Sequence, residues 1–109
     1  MKLSITACLL GAFSSLASGY SIDICSDACD STACCTTITG PNVDPNDKDD
    51  WSYLPAGYSG SLRYLKIIDG CCDWDGRLTN TIGCHSAVYE SSTNPRLHAA
   101  TKFICWPEP

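Results

Sequence analysis

Eight cysteines crowd the ninety residues after position 19, at Cys25, Cys29, Cys34, Cys35, Cys71, Cys72, Cys84 and Cys105. Their even number and density constrain the fold more than any other feature. A chain this short buries too little apolar surface to offset its conformational entropy with ease. Four disulfides, each contributing about 2–4 kcal/mol mainly through the unfolded state, would dominate its stability. Zinc is the competing use of such cysteines, since Cys25-x3-Cys29 and Cys34-Cys35 offer thiolates. Structural zinc sites space their ligands as C-x2-C pairs, however, and the chain has none. No metal and no cofactor are expected.

The start of the chain agrees with an oxidising destination. Lys2 is followed by a mostly apolar, uncharged run from Leu3 to Phe13 and by small residues at Ala17, Ser18 and Gly19. This is the pattern of a secretory signal peptide over residues 1–19, with cleavage after Ala17 or after Gly19. The run is shorter than the roughly 20 residues a membrane-spanning helix needs, and no later stretch is longer, so no membrane anchor is expected. The ninth cysteine, Cys8, leaves with the signal. Residues 20–109 then form a single disulfide-stabilised domain, secreted and extracellular, expected as a monomer.

The two cysteine doublets carry a geometric rule. Neighbouring Cα atoms are about 3.8 Å apart, below the roughly 4.4–6.8 Å of ordinary disulfides, so Cys34–Cys35 and Cys71–Cys72 bonds are disfavoured. On a strand, adjacent side chains also point to opposite faces. Each doublet is therefore expected to send its two bridges to different partners. Eight cysteines still allow on the order of a hundred pairings, and spacing does not choose among them.

Patterning along the chain favours strands. Tyr20 to Cys25 alternates apolar and polar residues, and Thr36 to Thr39 is β-branched throughout, with Gly40-Pro41 ending it. Residues 26–35 read as a tight loop or one helical turn. Residues 41–60 hold three of the six prolines and several aspartates and form one long surface loop, its far end anchored by Trp51 and Tyr53. Ser61 to Ile68 is the strongest strand, apolar on both faces (Leu62, Tyr64 and Ile68; Leu65 and Ile67), as a central strand is. Asp69-Gly70 and Asp75-Gly76 bracket Cys71 to Trp74 as hairpin turns, and Arg77 to Ile82 alternates with Leu78 and Ile82 inward. His85 to Glu90 suits helix or strand. Asn94-Pro95 resembles a helix cap with a first-turn proline, and Thr101 to Trp106 returns as a last strand. The expected fold is small, disulfide-rich and mainly β: an antiparallel sheet of four or five strands with one or two short helices.

Signal peptide, short mature chain, eight cysteines and acidic composition together resemble the small secreted cysteine-rich proteins of filamentous fungi. Many of these are effector-like proteins that act on a host or a competitor, and the resemblance implies such a role. Hydrophobins also have eight cysteines with two doublets, but in the order single, doublet, single, single, doublet, single. Here the order is single, single, doublet, doublet, single, single, and Asp44 to Asp50 between the doublets is too charged for a film former. A defensin-like scaffold would use Cys25-x3-Cys29 but needs a C-x-C strand, which is missing.

Charge narrows the partners. Without Lys2 the chain has six basic residues against twelve acidic ones, a surface that repels nucleic acid and anionic membranes. The acidic loop fails as an EF-hand in either register: counted from Asp44, positions five, six and twelve are Lys48, Asp49 and Pro55. A loose cation site from Asp44, Asp47 and Asp49 is less expected than a solvated loop. Gly57-Tyr58-Ser59-Gly60-Ser61 lacks the last glycine of a nucleophile elbow, and the chain is too small for a hydrolase sheet. His85, Glu90, Arg96 and His98 are the equipment of a small secreted ribonuclease, but they fall within fourteen positions, where such enzymes draw theirs from separate strands. No catalytic residue is assigned. Trp51, Tyr53, Tyr58, Tyr64, Trp74, Tyr89 and Trp106 together exceed what a sulfur-filled core holds, and Trp51 and Trp74 are the candidates for an exposed recognition surface. The expected function is a non-enzymatic, effector-like protein binding a host or other extracellular target, protein or carbohydrate. A small toxin or antimicrobial protein and a ribonuclease-like hydrolase are the alternatives.

Overall fold

A computed structural model describes residues 19–76 and 82–109. The expected signal segment with Cys8, and the expected strand over 77–82 apart from Ile82, lie outside the described residues. Among the described residues seven strands form: β1 (Gly19–Ser26), β2 (Cys35–Pro41), β3 (Ser52–Tyr53), β4 (Leu62–Asp69), β5 (Cys71–Trp74), β6 (Val88–Glu90) and β7 (Lys102–Trp106). All pairings are antiparallel. The expected single sheet is divided in two, ordered β2-β1-β4-β6 and β3-β7-β5. The expected short helices are single 3-10 turns, Thr32–Cys34 and Pro95–Ala99. Ser31 caps the first, its Oγ accepting from the Ala33 amide at 3.2 Å. Asn94 stands at the cap of the second, but its side chain makes no capping bond. No described helix is long and apolar enough to cross a membrane.

Alternation builds β1 as read, with Ile22 and Ile24 fully buried. The faces of β4 differ from the simple alternation. Cys25 faces Tyr64 while Ser26 faces Leu62, so Arg63 is an extra residue in the ladder. That bulge turns Leu62 onto the same side as Leu65 and Ile67, and all three are buried. Tyr64 and Ile68 are left half-exposed. β4 is nonetheless central, between β1 and β6.

Asp69-Gly70 is a corner rather than a hairpin, because β4 and β5 belong to different sheets. Gly70 takes φ +94° there, and a Cβ at this position would meet Asn42 Oδ1 and the Trp106 carbonyl, each at 3.3 Å. Glycine alone suits both the dihedral and the space. After Asp75-Gly76 the chain does return beside β5, where the Cys72 amide donates to the Gly83 carbonyl at 2.8 Å. Ile82, expected inward, is exposed, since that bridge belongs to Gly83 at the margin of the sheet.

One core joins the sheets. Ile22, Ile24, Leu62, Leu65 and Ile67 come from the larger sheet and Cys72, Trp74, Phe103 and Cys105 from the smaller, with Leu54, Leu97 and Ala100 from the connections. The rings of Tyr20 and Phe103 meet edge to face with centroids 5.2 Å apart. The disulfides are Cys25–Cys35, Cys29–Cys34, Cys71–Cys84 and Cys72–Cys105. Each doublet sends its two bridges to different partners. Cys25–Cys35 and Cys72–Cys105 join residues directly opposite on paired strands, so sheet register brings these sulfurs together.

Candidate binding surface

The 41–60 segment is tied down by its own side chains and by β7. Asp44 Oδ1 accepts from the Asn46 amide at 2.8 Å, and Asp47 Oδ1 accepts from the amides of Asp49 and Asp50 at 2.9 and 3.1 Å. These are Asx turns, which use the carboxylates to shape the loop. The indoles close it: Trp51 Nε1 donates to the Lys48 carbonyl at 3.1 Å and Trp106 Nε1 to the Asp47 carbonyl at 2.6 Å. The Val43 amide donates to the Cys105 carbonyl at 2.9 Å.

The far end of the loop then becomes a strand. Ser52 and Tyr53 pair with Phe103 and Lys102 of β7, and the next residue, Leu54, is buried and donates its amide to the Thr101 carbonyl at 2.9 Å. Tyr53 itself is 78 % exposed. Its register partner Lys102 holds its ammonium 5.4 Å from the centroid of the Trp51 ring, a cation–π contact. Lys48 sits likewise 5.8 Å from the Trp106 ring. Two half-buried indoles, an exposed phenol and two ammonium groups thus share the loop and the edge of the smaller sheet.

Trp74 is not part of this surface. It is 2 % exposed and lies in the core, edge to face with Tyr89 at 5.5 Å. Alternation along β5 puts it on the same inward face as Cys72, so its candidacy as an exposed anchor is withdrawn.

Asp75, marked in the sequence only as a turn residue, positions the start of β7. Its Oδ1 accepts from the amides of Thr101 and Lys102 at 2.8 and 3.0 Å, and its Oδ2 accepts from Thr101 Oγ1 at 2.8 Å. Burial alone would raise its pKa, but these bonds outweigh it and hold the carboxyl below its ordinary value. The partners lie 26 residues away in sequence, so the Asp-Gly turn was visible and its clamp was not.

The four acid–base residues are not gathered into one cleft. His98 Nε2 pairs with the Asp27 carboxylate. Glu90, opposite Tyr64 on β6, lines an open hollow of about 350 Å³ with Asp27, Asp30 and Arg63. His85 is bonded instead to the Ile68 carbonyl, 2.7 Å from its Nδ1, and Arg96 lies beside Gly76. Arg63, which lines the hollow, donates through Nε to the carbonyls of Ser26 and Cys29 at 3.0 and 2.9 Å and through Nη2 to the Ser31 carbonyl at 3.1 Å. It clamps the Cys29–Cys34 loop. An adjoining groove of about 450 Å³ is lined by Asp23, Asp30, Thr37 and Tyr64 and by both cysteines of the Cys25–Cys35 disulfide. No protein-family model matches the chain, no curated protein matches its sequence, and no solved structure matches its fold.

Proposed function

We propose that this chain is a secreted, non-enzymatic, effector-like protein that binds an extracellular target through the Trp51–Tyr53 loop. Four disulfides support an oxidising, extracellular setting. The observation that carries the binding role is Tyr53, a large aromatic 78 % exposed on a strand that β7 holds in register. An aromatic side chain has few rotors, and a backbone fixed beforehand loses little entropy on binding. Tyr53 and Trp51 offer aromatic surface to a sugar or to an apolar protein segment.

The test is binding of the oxidised protein to immobilised cell-wall polysaccharides and to purified host cell-surface glycoproteins, beside Tyr53→Ala and Trp51→Ala. Affinity is expected to fall at least tenfold in each variant, as for an aromatic anchor worth about 2 kcal/mol. Undiminished binding by both variants, or no binding by the wild type to any of these, contradicts the reading.

A further inference from the structure

The corner between the two sheets gathers three ligand-type side chains that are remote in sequence. Asp69 ends β4 two residues before Cys71. His85 follows Cys84, the disulfide partner of Cys71. Glu108 stands two residues beyond Trp106, the register partner of Cys71 in β7. Backbone, disulfide and sheet register thus bring three segments to the neighbourhood of one cysteine. One carboxylate oxygen each from Asp69 and Glu108 and one ring nitrogen of His85 all lie within 4.8 Å of one another. Ligands about 2.1 Å from a tetrahedral Zn²⁺ stand about 3.4 Å apart. Exposed side chains close the remaining distance by small torsional changes.

The imidazole is already prepared for such a role. Its Nδ1 lies 2.7 Å from the Ile68 carbonyl oxygen, which only accepts, so Nδ1 carries the hydrogen and Nε2 of the neutral ring keeps its lone pair. A backbone carbonyl behind the ring is the arrangement that orients metal-bound histidines. Ile68 comes from outside the cluster, at the point where the β1–β4 register skips from Ile67 to Asp69. One imidazole with two carboxylates suits a first-row divalent ion. Ca²⁺ and Mg²⁺ prefer six or more oxygen ligands.

We propose that Asp69, His85 and Glu108 form a three-ligand site for a divalent transition-metal ion of the Zn²⁺ type, with water completing the coordination. The site is separate from the Trp51–Tyr53 surface and does not depend on its role. Because Cys84 carries His85 to the corner, the site requires the Cys71–Cys84 bond. Isothermal titration of the oxidised mature protein with Zn²⁺ alone tests it, beside His85→Ala, Glu108→Gln and His98→Ala, each checked for four intact disulfides by mass. One saturable equivalent is expected, with affinity reduced at least tenfold in His85→Ala and in Glu108→Gln and unchanged in His98→Ala. Excess Mg²⁺ should not compete. No saturable uptake by the wild type, uptake unaltered by both ligand substitutions, or uptake lost only in His98→Ala overturns the assignment.

Discussion

Asp75 links one carboxylate to both stability and the binding surface, because the amides it accepts from begin the strand that carries Lys102. Asp75→Ala removes three hydrogen bonds to a charged acceptor and is expected to cost about 2–3 kcal/mol, read from the denaturant midpoint at pH 7. Its folded-state pKa lies below the ordinary value of 3.8. Its contribution is therefore fully present above that value and is lost as pH falls through the lower, folded-state one. The gap between wild type and Asp75→Ala should narrow as acid is added below about pH 4; a gap that stays constant down to pH 2 contradicts this. Ser86 is the only described non-glycine residue with positive φ, at 71°, inside a turn closed by the Ala87 amide donating to the Cys84 carbonyl at 2.9 Å. The left-handed region costs an ordinary residue about 1 kcal/mol, so Ser86→Gly should leave stability unchanged or raise it by up to about 1 kcal/mol. Gly83 is the reverse case. A Cβ there would overlap the Tyr89 hydroxyl and crowd Ala87 Cβ and Ile67 Cδ1 at 3.0 and 3.1 Å, so Gly83→Ala should lower the melting temperature. At this scale the cysteines were legible in sequence because their chemistry is independent of context. Trp51 was legible as a loop anchor. Trp74 was not, because an aromatic next to an Asp-Gly turn reads alike whether its strand face points in or out.

Among the elements, strands were legible wherever alternation or β-branching ran for four or more residues, as in Tyr20–Cys25 and Thr36–Thr39. Their division between two sheets was hidden. Residues 62–74 read as two strand-like stretches whose Asp69-Gly70 step looks like any turn, and only the pairing of β4 with β1 and of β5 with β7 makes it a corner. The Arg63 bulge was hidden as well, since an extra residue in a ladder leaves no mark in the strand that contains it. The disulfides differ in what they restrain. Cys72–Cys105 closes a sequence separation of 33 and Cys29–Cys34 one of 5. Loop-closure entropy makes the longer bridge worth about 1.5 kcal/mol more. Denaturant titration of Cys72→Ala/Cys105→Ala against Cys29→Ala/Cys34→Ala should show that order, the more so because the former pair is buried in the core. Equal losses contradict it.

For the whole molecule, the engagement of His85 with the Ile68 carbonyl and of His98 with Asp27 and the acidic charge balance argue against RNA chemistry. Hydrolysis of single-stranded RNA by the purified protein is expected not to exceed a buffer blank. Turnover abolished by His98→Ala with the disulfides intact would contradict that. The central claim is that the four disulfides fall in two groups that never cross-link, so that the shared core rather than a disulfide between the groups joins the two sheets. Trypsin under acid-quenched, non-reducing conditions tests it directly, since cleavage after Lys48, Lys66, Arg77, Arg96 and Lys102 separates the cysteines into distinct peptides. The pairing predicts that the peptide ending at Lys48, with Cys25, Cys29, Cys34 and Cys35, is released alone. It also predicts that residues 67–77, 78–96 and 103–109 travel as one three-peptide species joined through Cys71–Cys84 and Cys72–Cys105. A Lys48-terminated peptide bonded to any of the three, or a 67–77 peptide released by itself, would contradict the account.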